Sequence, residues 1–229
     1  MILLSNLAFD CVDAAKVASF WRRALLYDAP EPTDAELAAA LEEHPEWAGL
    51  AVVDEEGHRH PRLFLQTVPE PKLGRNRVRP VVAVDAVDRV LALGAQQIAD
   101  DEFADVEGNE FRVVDSGAGP VRFVSVEIDA VNPSRQVQFW VEMLGFGLDG
   151  ASCNPPDSWR KRVSLFPSFS FVPVDAPKER KNRIHFDFMT RPEEGDHERL
   201  LEMGARDVAK GDGFVTMHDP EANEFDLSV

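Results

Sequence analysis

The chain is poor in cysteine, poor in positive charge and without any long apolar run. Its two cysteines, Cys11 and Cys153, form no disulfide framework and no metal-ligand spacing. Neither has an evident basic partner to activate it, and reduced thiols of this kind suit a cytoplasmic protein. Lysine and arginine number 24 against 41 aspartates and glutamates, a formal charge of −17. Nucleic acid and anionic membranes are thereby excluded as expected partners, since both reward basic patches. The densest basic stretch, residues 178–183 (KERKNR), reads as a loop entering a strand. No segment approaches the roughly 20 apolar residues that span a bilayer, and the opening MILLSNLAFD lacks the basic leader of a signal peptide. What is present is 44% hydrophobic and 28% charged, the composition of a globular chain with a real core.

The informative feature is a repeat. Glu107-Gly-Asn-Glu-Phe111 returns as Glu221-Ala-Asn-Glu-Phe225, each time before a short apolar run. Other landmarks recur in the same order. Asp13 through Phe20-Trp21 answers Asn132 through Phe139-Trp140; Pro71-Lys72 and Asn76-Arg77 answer Pro177-Lys178 and Asn182-Arg183; Leu93-Gly-Ala95 answers Met203-Gly-Ala205. A repeat this long is a duplicated domain rather than a solenoid unit. Residues 1–116 and 117–229 are the expected copies, joined through the small-residue stretch Ser116–Pro120, and residues 33–46 read as a helix inserted only in the first.

Each copy reads as strand, helix, strands, then strand, helix, strands. Along Asn6–Val12, Leu7, Phe9 and Cys11 take one face and Asn6, Ala8 and Asp10 the other. Asp13 and Asn132 are helix caps, Pro133 suits a first helical position, and Gly145 is a helix stop where the first copy has the weaker Leu26. Arg62–Val68 and Arg77–Val84 read as strands, with Pro80 implying an edge or a distortion. Thr190-Arg-Pro-Glu193 predicts a capping box for a second helix. Trp21 and Trp140 are expected in the core.

This ordered set, found twice, resembles the vicinal oxygen chelate superfamily, which includes glyoxalase I, ring-cleaving dioxygenases and bleomycin-resistance proteins, and its glyoxalase-like subgroup most of all. The resemblance implies an α+β fold of paired βαβββ modules, whose strands curl into a cup with helices outside. It also implies that inward residues of the first and last strands of each module can hold a divalent metal, which stabilises negative charge on a small oxygenated substrate.

Carried onto this chain, the pattern places Asn6, Gln66, Arg79 and Glu110 at the four positions of the first copy. Arginine stays protonated and cannot ligate a metal, so that copy is expected to be metal-free. Arg79 would pair with Glu110 or receive a ligand carboxylate or phosphate, with Gln66 nearby. In the second copy the positions are Ser125, Val172, His185 and Glu224, half of a metal site in His185 and Glu224, with Glu127 or Asp187 as a candidate base. Trp159, unmatched in the repeat, is a candidate cavity wall.

Three functions remain open. One is a metal-assisted lyase, isomerase or dioxygenase using the second copy. Another is a metal-free protein that sequesters an antibiotic or metabolite, and the third is a scaffold or regulator whose cups are filled by their own side chains. A small-molecule ligand, a cytoplasmic location and a monomer or homodimer are expected, with no cofactor beyond a divalent metal.

Overall fold

A computed structural model describes residues 2–26, 47–50 (backbone only), 61–117, 119, 121–156, 167–190 and 195–228. The expected inserted helix at 33–46 and Trp159 lie outside the described residues. The first repeat contributes β1 (Leu3–Cys11), α1 (Ala14–Ala24), β2 (Trp47–Leu50), β3 (Leu63–Thr67), β4 (Val78–Val84), α2 (Val87–Ala92), β5 (Gln96–Gln97), β6 (Glu102–Ala104) and β7 (Glu110–Asp115). The second contributes β8 (Arg122–Ala130), α3 (Pro133–Leu144), β9 (Gly147–Asp149), β10 (Ser152–Asn154), β11 (Ser168–Pro173), β12 (Ile184–Met189), α4 (Asp196–Glu202), β13 (Arg206–Gly211), β14 (Phe214–His218) and β15 (Glu224–Ser228).

The α+β class and the tandem modules are as the sequence implied, but the modules are exchanged between repeats. One sheet runs β13-β14-β15-β12-β1-β3-β2 and the other β5-β6-β7-β4-β8-β11-β10-β9. We call them sheets A and B. Sheet A joins the first module of repeat one to the last module of repeat two through the antiparallel β1–β12 pair. Sheet B joins the two middle modules through β4–β8. A cup is therefore never the property of one repeat, and residues grouped by repeat in the sequence are divided between two sheets.

Local chemistry explains the elements. Asp13 accepts from the Lys16 N–H at 2.9 Å and Asn132 from the Arg135 N–H at 3.1 Å, so both expected caps operate. Gly145 ends α3 at φ 67°, whereas Leu26, just past α1, must adopt φ 52° with a side chain that disfavours it. Pro80 lies in a central strand, not at an edge. The ladder accommodates it with a register shift between Val81 and Val82. Helix α4 spans Asp196–Glu202 after Gly195, and Thr190 Oγ1 donates to the Asp196 carboxylate at 2.6 Å, while residues 191–193 of the expected capping box lie outside the described residues.

One apolar cluster runs through both sheets. Trp21 sits 5.4 Å from Phe9 of sheet A and 5.1 Å from Phe111 of sheet B. Trp140 likewise sits 5.2 Å from Phe169 of sheet B and 5.3 Å from Phe186 of sheet A. Each tryptophan thus wedges its helix against both sheets. Truncating a buried aromatic of this size costs about 3–5 kcal/mol.

The repeated pentapeptide fastens this arrangement. Asp219 accepts from Glu221 N, Asn223 N, Asn223 Nδ2, Gln136 Nε2 and Trp140 Nε1 at 2.9–3.3 Å. Asp105 does the same for Glu107 N, Asn109 N, Asn109 Nδ2 and Trp21 Nε1. Burial pushes both carboxyls above their ordinary range, and the donors pull back toward the ionised form. Glu107, entering sheet B, accepts from the backbone of Val12 and Asp13 at the start of α1 and faces Arg183 of sheet A at 3.6 Å. Glu221 mirrors it on Val131, Asn132 and Arg77. The pentapeptide is written twice because each sheet is pinned to the other once from each side.

Candidate metal centre

The two glutamates that the repeat singled out as metal ligands are committed elsewhere. Glu224 accepts from Lys178 Nζ at 2.5 Å and from the Asn182 N–H at 3.1 Å. Glu110 accepts equivalently from Lys72 Nζ at 2.8 Å and the Asn76 N–H at 3.0 Å. A carboxylate neutralised by a lysine and a backbone donor has little left for a cation. Both glutamates are thus held by a lysine and a backbone N–H rather than set beside His185.

His185 finds other partners. Its Nε2 lies 3.5 Å from Asp187 Oδ1 and 3.7 Å from Asp226 Oδ2. The register of β12 and β15 places Asp187 directly beside Asp226, and strand alternation turns both carboxylates to the face carrying His185. Asn6, opposite Asp187 on β1, donates Nδ2 to Asp187 Oδ2 at 2.8 Å and sets its orientation. One donor atom each from His185, Asp187 and Asp226 lie within 4.8 Å of one another.

Several polar atoms here are buried without a hydrogen-bond partner among the described residues: Asn6 Oδ1, Asp187 Oδ1 and Asp226 Oδ1. Burial pushes the Asp187 carboxyl up, while the His185 charge and the Asn6 donor oppose that shift. Two donors at about 2.1 Å from one ion are at most about 4.2 Å apart, so a small side-chain contraction would close the triad. An imidazole with two carboxylates and an amide oxygen suits a borderline or hard divalent ion such as Mn²⁺, Fe²⁺ or Zn²⁺. The residues fit a metal, and Asp187 stands among the donors that would hold it. Asp226 was missed, although Phe225 and Leu227 in the core already place it on the opposite face.

Sheet B holds the equivalent positions and fills them differently. Arg79 stands where sheet A has His185, Arg112 where it has Asp226, Val81 where it has Asp187, and Ser125 where it has Asn6. Arg79 is 2% exposed and pairs with Asp129 at 2.6 Å and Glu127 at 3.6 Å, not with Glu110. Arg112 takes Glu127 at 2.6 Å. Glu127 therefore belongs to the arginine cluster of sheet B and not beside His185, while Val172 lies on β11 of the same sheet. Gln66 is in sheet A, two strands from His185 and in register with Asp10. The two thiols are buried and pushed up, Cys153 to about 12, so both stay protonated.

The sequence pattern of the glyoxalase-like domain matches twice, over residues 6–114 and 125–228. The chain belongs to the glyoxalase-like domain family. It is thereby a member of the vicinal oxygen chelate superfamily. Glyoxalase I from Zea mays superposes with a TM-score of 0.68 at 12% identity, covering 100% of this chain and 92% of that one. The putative dioxygenase from Bacillus subtilis subsp. subtilis str. 168 gives 0.54 at 11% identity, covering 98% and 84%. At such identities the likeness extends to the fold. No curated protein matches the sequence. No helix among the described residues of this glyoxalase-like protein is long and apolar enough to cross a membrane.

Proposed function

We propose that the glyoxalase-like chain binds a divalent metal in the cup of sheet A through His185, Asp187 and Asp226, and uses it on a small oxygenated substrate as a lyase, isomerase or dioxygenase. The observation that carries this reading is the three-residue donor cluster with its unpartnered carboxylate oxygens. When bound, the cation supplies Lewis acidity where negative charge develops. The chain's own contribution is positioning. Asn6 orients Asp187, and the buried aromatic layer of Phe186, Phe188 and Phe225 holds the ligand strands rigid. Glu127, fixed by two arginines in the other sheet, takes no part. A cytoplasmic location, a small-molecule partner and a monomer or homodimer go with this reading.

The test is metal content after purification without chelator or histidine tag, together with thermal shifts on adding Mn²⁺, Fe²⁺, Co²⁺, Ni²⁺ or Zn²⁺. A site filled at 100 times its dissociation constant adds about 2.7 kcal/mol, which is a shift of several degrees for a chain of this size. His185→Ala and Asp226→Asn are each expected to abolish the shift. An unshifted wild type, or a shift that survives both variants, refutes the metal reading. It leaves the metal-free sequestering function, which the arginine-filled cup of sheet B favours.

A further inference from the structure

The matching segments 73–77 of the first repeat and 174–183 of the second line a cleft of about 310 Å³. That is at the small end of ligand pockets. Its walls carry Arg75, Arg77, Lys178, Arg180, Lys181 and Arg183, against only Asp129 and Glu179. A quarter of the cations of a chain with net charge −17 thus line one small space.

Most of these charges have internal partners. Arg77 faces Glu221, Arg183 faces Glu107, Lys178 holds Glu224, Lys181 holds Asp10 and Arg75 holds Glu102. Asp129 is taken by Arg79. What remains is donor capacity. Arg180 has no partner among the described residues. Among the described residues, the buried Arg77 Nε, Arg183 Nε and Arg183 Nη2 have no hydrogen-bond acceptor, the last lying 3.6 Å from Glu107 Oε2. Buried guanidinium donors left unspent are costly unless something accepts from them.

The repeat symmetry is broken at this point. The position that matches Arg180 is Gly74. The Arg180 guanidinium lies over that glycine, where an added Cβ would come within 3.1 Å of Arg180 Nη1. Gly74 also sits at φ 72°, so alanine there would be strained as well as crowding the arginine. An arginine on one side and a glycine making room for it on the other is an arrangement that duplication alone does not produce.

We propose that this cleft binds a small polyanion, a ligand carrying two or more phosphate or carboxylate charges, through the guanidinium of Arg180 and the cationic walls that Arg77, Lys181 and Arg183 give it. Planar guanidinium donors match the oxygens of phosphate and carboxylate in pairs. The site is separate from the metal centre.

Calorimetric titration of the full chain at constant ionic strength, in metal-free buffer, with inorganic pyrophosphate and then with citrate tests this. Saturable binding of either supports the proposal. Pyrophosphate alone marks a phosphorylated ligand, citrate alone a polycarboxylate. Arg180→Ala is expected to weaken binding about tenfold or more, with Arg180→Lys recovering part of it and His185→Ala leaving it intact. Because Arg180 is exposed and unpaired, its variants should fold, which a thermal melt checks. Absence of saturable heat with both anions, or binding that Arg180→Glu leaves unchanged, overturns it. Neither outcome touches the metal reading, whose test uses different ligands and different variants.

Discussion

Sheets A and B are built on the same plan and differ at four positions in a way that inverts their electrostatics. Sheet A collects His185, Asp187 and Asp226, with Asn6 beside them, and leaves carboxylate oxygens unpartnered. Sheet B places Arg79 and Arg112 at two of those points and closes them with Asp129 and Glu127. A fixed guanidinium does in sheet B what a bound cation would do in sheet A: it neutralises buried carboxylates. The lesson is that buried carboxylates in such a cup can be neutralised by a positive charge that is covalently part of the chain.

The largest expected break in the comparison follows from that. Arg79→Ala leaves Asp129 without its buried cation and Glu127 with Arg112 alone, and should cost about 3–5 kcal/mol, read as a fall in urea midpoint. In metal-free protein His185→Ala should cost much less. Equal losses would mean that the two cups are not electrostatic opposites.

Next comes the lock shared by both halves. Asp219→Ala strands Gln136, Trp140 and Asn223 donors and should remove about 3 kcal/mol, a fall in Tm of roughly 6–12 °C for a chain of this length. Asp105→Ala should cost slightly less, because Val17 stands where the second repeat has the donor Gln136. The reverse order would show that Gln136 contributes nothing to the lock.

The smallest effects sit at two positive-φ positions where one repeat has glycine and the other does not. Ala222 holds φ 67° where the first repeat has Gly108, and Leu26 holds φ 52° where the second has Gly145. Ala222→Gly and Leu26→Gly should each stabilise by about 0.5–1 kcal/mol, the relief of left-handed strain outweighing glycine's entropy. Thermal melts of the single variants and the pair would show near-additive gains, since the sites share no contact.

Much of the molecule was legible in order along the chain. The duplicated landmarks exposed the two copies, the alternation of Leu7, Phe9 and Cys11 identified the buried face of β1, and Asp13 and Asn132 announced their helices. His185 was found because strand alternation puts it on the polar face. Alternation says which face the Glu224 carboxylate takes, but not that Lys178 and the Asn182 N–H reach it. Asp226 was open to the same alternation and was passed over because the repeated Glu224 drew the ligand role.

The sequence by itself determined the family, the duplicated modules, the helix caps and the aromatic core, because each rests on local periodicity or on composition. Only the tertiary structure decided that modules pair across repeats, since strand partnership is not local: it joins Ala83 to Arg122 in sheet B and Leu3 to Met189 in sheet A. That exchange brings Asn6 to Asp187 and sends Glu127 to Arg79 and Arg112. It also brings the 73–77 and 174–183 segments together around their cleft. The charge on a residue is written in the chain, but the partner that neutralises it is chosen by the fold.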